Sequence, residues 1–204
     1  MPVSDQRPYA ALHAKGEDRR QRILAVAARH LARHGWRTTT LGQIARETGL
    51  STAGLLHHFQ SKAQLLHAVL DARDAYDTAR WDPSRNLIEQ LESVAERFRE
   101  APDLVGMFAV LRMENIDPEA PLHDRFLARY RVAVELVAEL IRRGQDEGIY
   151  HPDVNPALKA MEIIAFFNGI ETSWLLDPTI PLDEAIREYT ASLARQLSLP
   201  RDMS

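Results

Sequence analysis

The 204-residue sequence has 45% hydrophobic and 26% charged residues and a formal net charge of −4, a globular composition that excludes a disordered or fibrous chain. It contains no cysteine, so neither a disulfide framework nor thiolate chemistry is available. Because no stretch approaches roughly 18 consecutive apolar residues and the N-terminus lacks the apolar segment of a signal peptide, we expect a cytoplasmic protein.

The charges are divided between two regions of opposite sign. Residues 1–65 contain ten Lys and Arg against four Asp and Glu, a balance of +6, whereas residues 66–204 contain 15 against 25, a balance of −10. Neutralisation of phosphates by Lys and Arg supplies most of the non-specific affinity of proteins for nucleic acid. The division therefore indicates a basic nucleic-acid-binding region attached to an acidic body.

The N-terminal region is predicted to contain a flexible arm and one helix. Residues 1–15 lack a sustained apolar period and contain Pro2 and Pro8, which predicts a flexible arm. A helix is predicted from about Glu17 to His34, where Gly35 ends it. Its apolar face consists of Ile23, Leu24, Ala27, Ala28 and Leu31.

The stretch at residues 40–62, TLGQIARETGLSTAGLLHHFQSK, has the outline of a helix-turn-helix. Gly49 tolerates the left-handed conformation of a tight turn, and Ser51 can cap a second helix that extends to Phe59. The second helix of such a unit is narrow enough to enter the major groove of DNA. Ordinary packing in an all-helical protein is the alternative interpretation. The apolar positions of the first helix are Leu41, Ile44 and Ala45.

One face of the second helix is predicted to point inward and the other outward. Leu55 and Phe59 are four residues apart and therefore share the inward face. The outward face is small, polar and nearly uncharged, which suits close approach to base edges. It comprises Thr52, Ala53, Gly54, Leu56, His57 and His58.

In this pattern the sequence resembles the DNA-binding domain of the TetR family of transcriptional regulators. The matching residues are Gly35, Trp36, Thr38, Thr39, Thr40, Leu41, Ile44, Ala45, Gly49, Leu50, Ser51, Leu55, His58, Phe59, Ser61 and Lys62. The resemblance covers about the first third of the chain. It implies an all-α fold in which an N-terminal three-helix helix-turn-helix domain at residues 16–65 precedes a helical-bundle effector and dimerisation domain at residues 66–204.

The resemblance also implies which residues contact DNA. Thr40 is expected to cap the first helix of the unit and contact phosphate, Gln43 to reach a phosphate or a base, and Lys62 to contact phosphate. The sequence departs from many relatives at Leu56, where Tyr is common, and at Thr52, where Lys or Arg is common. The full expected set is Thr40, Gln43, Ser51, Thr52, Gly54, Leu56, His57, His58 and Lys62.

The remainder of the chain is predicted to be helical throughout. Ser61 can cap a helix from Lys62 to about Arg80, which the Trp81-Asp82-Pro83 segment ends. Further helices are predicted at 86–100, 103–115, 122–147, 155–176 and 182–197. Gly148 is expected to end the longest of them, and Asn155 with Pro156 provides a cap and a first helical residue.

The helix at residues 155–176 is apolar on more than one side and therefore needs two sets of neighbours. We interpret one set as its own domain and the other as the same helix of a second subunit, with Gly169 allowing close approach. A central core helix of a monomer is the alternative. In TetR relatives the last two long helices form the dimer interface, which implies the residues Ile163, Phe167, Ile170, Trp174, Ile186, Tyr189 and Leu193.

An effector site is implied by the resemblance alone, since relatives enclose a ligand between three consecutive helices of the body. Met and aromatic side chains there suit an apolar guest, although an ordinary core contains the same residue types. The candidate ligand-binding residues are Phe98, Met107, Phe108, Met113, Phe126 and Tyr130.

The function implied is that of a homodimeric, ligand-responsive transcriptional regulator, a repressor that a small molecule releases from a palindromic DNA operator. A helical interaction module or an all-α enzyme without DNA binding is the alternative. The sequence has no Gly-rich phosphate loop and no local Ser/His/Asp pattern. His30 and His34 are four residues apart, but Leu31 occupies the general-base position of an HExxH motif. We therefore expect no catalytic residues, metal or cofactor.

Overall fold

The protein is all-α, as the sequence predicts. The computed structural model describes the backbone of residues 7–199 and the side chains of residues 18–199. The helices within this range are α1 (Arg7–Thr38), α2 (Leu41–Glu47), α3 (Thr52–His58), α4 (Lys62–Ala79), α5 (Leu87–Glu100), α6 (Pro102–Glu114), α7 (His123–Asp146), α8 (Pro156–Leu176) and α9 (Leu182–Leu197). Within the described range, no helix combines the length and the apolar character needed to cross a bilayer.

Helix α1 begins earlier than the sequence pattern predicts. It starts at Arg7, not at Glu17, and so includes part of the expected flexible arm, while residues 1–6 lie outside the described residues. The segment AALHAK at 10–15 consists mainly of good helix formers, so helical propensity extends the helix beyond its apolar face. The predicted break at Gly35 is confirmed, because its angles φ 70° and ψ −178° are not helical, although a short helical segment after this kink continues α1 to Thr38.

Side-chain caps fix the starts of α4, α5 and α8. Asn86 and Glu89 form a capping box at α5, in which the Glu89 N–H donates to Asn86 Oδ1 and the Asn86 N–H donates to Glu89 Oε2, both at 3.0 Å. Asn155 Oδ1 accepts from the N–H groups of Ala157 and Leu158 at α8. The predicted bounds of α4 to α9 are correct to within one residue at each end, including those of α6, α7 and α9, which have no side-chain cap.

The chain divides into two compact units. The N-terminal unit extends to Arg80 and includes Gly106–Leu111 from the middle of α6, and the C-terminal unit comprises Trp81–Val105 and the chain from Arg112 onward. The boundary lies beyond the predicted residue 65 because α4 packs along α1. The α4 side chains buried there are Leu65, Leu66, Val69 and Leu70.

The core of the C-terminal unit lies between α5, α7, α8 and α9, where α7 packs against α8 and α5 against α9. An isolated antiparallel bridge between Tyr150 and Ser198 joins the α7–α8 loop to the end of α9. The His151 N–H donates to the Leu197 carbonyl at 2.7 Å beside it. This pairing ties the last helix of the chain to the core.

The turn after α7 depends on two glycines. Gly148 has φ 69°, and the Ile149 N–H then donates to the Gly144 carbonyl at 2.8 Å. This turn folds the buried Tyr150 ring onto Gly144, where an added Cβ would clash with ring atoms Cδ2 and Cε2. Gly144 is therefore required for the packing of Tyr150.

We predict that Gly144→Ala lowers the free energy of unfolding by about 1–3 kcal/mol, because the new methyl group overpacks against Tyr150. Urea unfolding at a fixed protein concentration measures the change. In a Tyr150→Ala background the same substitution is expected to be neutral or stabilising, since Ala has the higher helix propensity. Equal losses in both backgrounds would contradict the proposed clash.

Candidate nucleic-acid interface

Helices α2 and α3 form the predicted helix-turn-helix, and hydrogen bonds at their starts fix them. The Gln43 N–H donates to Thr40 Oγ1 at 3.3 Å and the Thr40 N–H donates to Gln43 Oε1 at 2.8 Å, which together make a capping box. Ser51 Oγ accepts the Gly54 N–H at 3.0 Å at the start of α3. Gly49 has φ 70° in the intervening turn, which confirms the predicted left-handed position.

Two buried side chains determine the rotation of α3. Leu55 and Phe59 have 0% of their surface exposed, so their predicted inward direction is confirmed. The Arg20 guanidinium of α1 lies 4.5 Å from the centre of the Phe59 ring. The opposite face of α3 is turned to solvent, where Thr52, Ala53, Leu56 and His57 are exposed and Gly54 and His58 are half-buried.

The remaining predicted DNA-binding residues flank this face of α3 in the sequence. Thr40, Gln43 and Ser51 are exposed, although their side chains also cap helices. Lys62 is half-buried at the start of α4, where Ser61 Oγ accepts the Gln64 N–H. Direct contact of any of these residues with DNA stays a prediction.

Lys62 has a structural role that the sequence did not indicate. Its Nζ donates to the Trp36 carbonyl at 2.5 Å and lies 4.1 Å from the centre of the Trp36 ring. The cation therefore joins the start of α4 to the turn after Gly35, through a charge-assisted hydrogen bond and a cation–π contact. A partner 26 residues away in the sequence leaves no local pattern, so only the fold reveals this contact.

The one acidic side chain within the predicted interface region, Glu47, is paired with the side chains of Arg29 and His30. Glu47, at the end of α2, is the only Asp or Glu between Asp18 and Asp71. Glu47 Oε1 accepts from Arg29 Nη2 at 2.6 Å, and Oε2 lies 2.9 Å from His30 Nε2. The hydrogen bond from Arg29, followed by that from His30, lowers the pKa of Glu47 below its ordinary value of 4.5.

Three exposed arginines add positive charge to the surface of the N-terminal unit. They were not among the predicted DNA-binding residues. Arg33 lies near the end of α1, Arg37 just before α2, and Arg46 in the last turn of α2. None of the three forms an ion pair with another residue of the described part of the chain. The net positive charge of residues 1–65 was the feature of the sequence that could have identified these arginines as candidate phosphate contacts.

The predicted effector residues are divided between the two units. Phe98 and Phe126 are buried in the C-terminal unit, and the Phe98 ring stacks with the Trp174 ring at 6.3 Å between centroids. Met107 and Phe108 are buried in the segment that belongs to the N-terminal unit, where the Arg73 guanidinium lies 3.6 Å from the centre of the Phe108 ring. The other two are exposed, Met113 by 63% and Tyr130 by 41%. Binding of an effector by any of the six residues stays a prediction.

Four of the seven predicted dimer residues are buried in their own unit, and a role in dimerisation for the other three stays a prediction. Ile163, Ile186 and Leu193 are buried in the core of their own unit, as is Phe167, and an enclosed side chain has no surface left for a partner. The other three are half-buried and pack against that core: Ile170, Trp174 and Tyr189. The sequence showed that α8 is apolar on more than one side but not which side faces inward.

The exposed side of α8 carries a different stripe, which we name the α8 stripe. Its residues are three or four positions apart and therefore lie along one face of the helix: Leu158, Met161, Ala165, Gly169, Thr172 and Leu176. Gly169 lies in open space, since an added Cβ would meet no atom within 4 Å. The stripe thus has a small-residue centre between larger apolar ends.

The sequence of the helix-turn-helix region matches a known family. Residues 23–69 match the model of a family described as bacterial regulatory proteins, tetR family. The matched range includes the apolar face of α1, all of α2 and α3, and the start of α4.

The similarity to individual relatives extends beyond this region. The chain is 23% identical to the HTH-type transcriptional regulator SrpR of Pseudomonas putida, over 93% of this chain and 88% of that protein. It is 28% identical to the HTH-type transcriptional repressor AcnR of Corynebacterium diphtheriae, over 67% of this chain and 70% of that protein. The crystal structure of a TetR transcriptional regulator from Chloroflexus aurantiacus is similar with a TM-score of 0.76 and 26% identity, over 92% of this chain and 100% of that one.

The Glu47 pair predicts a specific pH dependence of stability. Because the folded-state pKa of Glu47 is lowered, its stabilising contribution is present above pH 4.5 and is lost as the pH falls further, through the folded-state pKa. Wild type should therefore be more stable than Glu47→Gln at pH 7, and this difference should shrink below about pH 4.5. Urea unfolding from pH 7 to pH 3 measures it.

Glu188→Gln is the control for the Glu47 experiment, since Glu188 is exposed and lies 3.9 Å from its nearest arginine, Arg195. Its stability difference from wild type should be small at every pH. A difference between wild type and Glu47→Gln that does not change with pH would contradict the pairing.

Proposed function

We propose that the chain, which belongs to the TetR family of bacterial regulatory proteins, is a homodimeric repressor. It leaves a palindromic DNA operator when a small molecule binds. On this proposal it acts in the cytoplasm and is not an enzyme. The observation that carries the proposal is the exposed, nearly uncharged face of α3 on a positively charged unit.

The α3 face suits base contacts, and the surrounding residues suit phosphate contacts. Thr52 and His57 are exposed hydrogen-bonding side chains, and Leu56 can contact a thymine methyl group. Arg37 and Arg46 flank α2 and provide charges for phosphates. The pairing of Glu47 with Arg29 and His30 supports this arrangement, because a free carboxylate at the end of α2 would repel the DNA backbone.

One recognition helix is too short to specify an operator alone. The seven residues of α3 extend for roughly 10 Å, which allows contact with only a few base pairs. Two subunits related by two-fold symmetry would place a second copy of α3 about 34–36 Å away on the same side of the duplex. The operator is then a partial palindrome whose half-sites are one helical turn, or a multiple of it, apart.

The α8 stripe is the surface that we propose for dimerisation. In this role it takes the place of the four buried residues of the predicted set, Ile163, Phe167, Ile186 and Leu193. The small side chains of Ala165 and Gly169 allow two helices to approach closely at their centre, and Leu158 and Leu176 add apolar area at the two ends. In the four-helix interface implied by the family, α9 would contribute beside α8.

The effector is proposed to act on the geometry of the dimer. A ligand that binds the C-terminal unit more tightly in one dimer conformation favours that conformation, in which the two copies of α3 no longer match the half-site spacing. A nearly complete switch needs differential binding of roughly 5.5 kcal/mol. Typical coupling between two sites is about 1–3 kcal/mol, so two ligands per dimer are the expected requirement.

The DNA-binding proposal predicts salt-dependent, sequence-specific binding to duplexes selected from a random pool. Affinity should fall with salt by about 0.9 logarithmic units per phosphate contact. Arg46→Ala should weaken binding to all duplexes and reduce the salt slope by about 2 per dimer, whereas Thr52→Ala or His57→Ala should change the preferred base at one position of each half-site. Fluorescence anisotropy at several salt concentrations measures these effects.

His151→Ala, in the C-terminal unit, is the matched control for His57→Ala and should leave both sequence preference and salt slope unchanged. If the wild-type protein does not bind any duplex at low ionic strength, the proposal is wrong. So would selected duplexes without any symmetry.

The dimer proposal predicts that Gly169→Glu produces a monomer, because the substitution places two carboxylates in a closely packed apolar interface. Sedimentation equilibrium measures the mass, and operator affinity should fall with the loss of the dimer. Ala128→Glu, on the exposed surface of α7, is the control and should remain dimeric. A dimeric Gly169→Glu protein would exclude the α8 stripe as the interface.

A further inference from the structure

Gln90 is a buried side chain whose hydrogen-bonding groups have no protein partner. It lies in α5 with 2% of its surface exposed. Neither Oε1 nor Nε2 of its carboxamide has a hydrogen-bond partner in the described part of the chain. Ser93 Oγ donates to the backbone carbonyl of Gln90 at 2.7 Å, but not to its side chain. A buried amide without partners is unfavourable, and native proteins keep few of them.

The buried side chains within one turn of Gln90 on α5 are apolar, whereas the polar Asn86 and Ser93 there are exposed and half-buried. Leu87, Leu91 and Val94 lie within one turn of it and are buried in the core of the C-terminal unit. Glu92 lies on nearly the opposite side of the helix, because residues two apart are separated by about 200°. Glu92 Oε1 accepts from Thr190 Oγ1 of α9 at 3.1 Å, so Gln90 is turned away from that contact.

Two other long polar side chains of the same unit have partners, whereas the Tyr189 hydroxyl, like the Gln90 carboxamide, has none in the described part of the chain. Gln145 Nε2 donates to the carbonyls of His151 and Val154, both at 2.9 Å. Arg112 pairs with Asn168 and with the buried Glu171. The unit thus supplies partners for the polar groups of Gln145 and Arg112, whereas the described part of the chain supplies none for the carboxamide of Gln90.

We propose that the carboxamide of Gln90 is the polar anchor of the effector site and that the effector is a neutral, mainly apolar molecule bearing an amide or lactam group. This inference rests on the proposed ligand response. A carboxamide offers a donor and an acceptor side by side, and an amide or lactam returns the complementary pair. A neutral ligand fits because burying an unpaired charge among apolar side chains is strongly unfavourable.

The first test needs no ligand and compares two glutamines. Gln90→Leu should leave the melting temperature unchanged or raise it, since it replaces an unsatisfied amide with an apolar group of similar size. Gln145→Leu is the matched control and should lower the melting temperature by about 3 °C or more, because three loop carbonyls lose their donor. A loss of the same size for Gln90→Leu would show that Gln90 is a structural group and would overturn the proposal.

The second test measures binding of small probes by calorimetry in the absence of DNA. The probes are benzamide, phenylacetamide and 2-quinolone, each paired with a hydrocarbon of similar shape: isopropylbenzene, isobutylbenzene and 2-methylnaphthalene. At least one amide should bind wild type about tenfold more tightly than Gln90→Leu, and its hydrocarbon should show no such preference. If no amide binds, or if the amides bind equally to both proteins, the proposal is wrong. Either result is also expected if the carboxamide of Gln90 binds only water.

The two proposals fail separately. Operator binding by the wild-type protein is measured without any probe, and its absence would remove the regulator but leave the binding result intact. If operator binding is present and the amide probes bind without regard to Gln90, the regulator stands and only the effector chemistry is wrong.

Discussion

The burial of Leu55 and Phe59 under α3 is the constraint on which the candidate interface depends. Full burial of two such side chains contributes about 3–6 kcal/mol together, so a rotation that exposed them would be strongly unfavourable. The face that carries Thr52 and His57 is consequently held toward solvent. Caps at Thr40 and Ser51 and the left-handed Gly49 then fix where α3 begins and how it leaves α2. The exposed face is a consequence of packing on its other side.

Much of this region could be predicted from the sequence because its determinants are local. Caps, a left-handed glycine and four-residue spacing act over single helical turns, which is why the bounds of α2, α3 and the later helices follow from the pattern. Residues 7–15 differ because an arm without an apolar face can still be helical. The side of α8 that faces the core could not be predicted, since a helix apolar on several sides gives no preferred direction. The contact of Lys62 with Trp36 could not be predicted either, because it joins residues that are distant in the sequence. The same holds for Gln90, since the sequence does not show which distant groups come within reach of its carboxamide, and among the described residues none does.

Electrostatics distinguishes the two units in a way that follows their proposed roles. In the N-terminal unit the carboxylate of Glu47 is paired with Arg29 and His30, so the region around α2 presents mainly positive charge. In the C-terminal unit the interior charge of Glu171 is paired with Arg112, whereas the neutral amide of Gln90 has no partner among the described residues. An exposed cationic surface suits the binding of DNA, a polyanion that remains in contact with water. An unpaired neutral amide in an apolar core suits a small molecule that leaves water behind.

Amide hydrogen exchange of the full chain, with and without a duplex selected from a random pool, tests the central claim most directly. The account predicts that exchange slows in residues 40–62, most strongly in α3, when the duplex is added at low salt, and that the protection disappears at high salt. Protection confined to other parts of the chain, with α3 exchanging at the same rate in both states, would contradict the account.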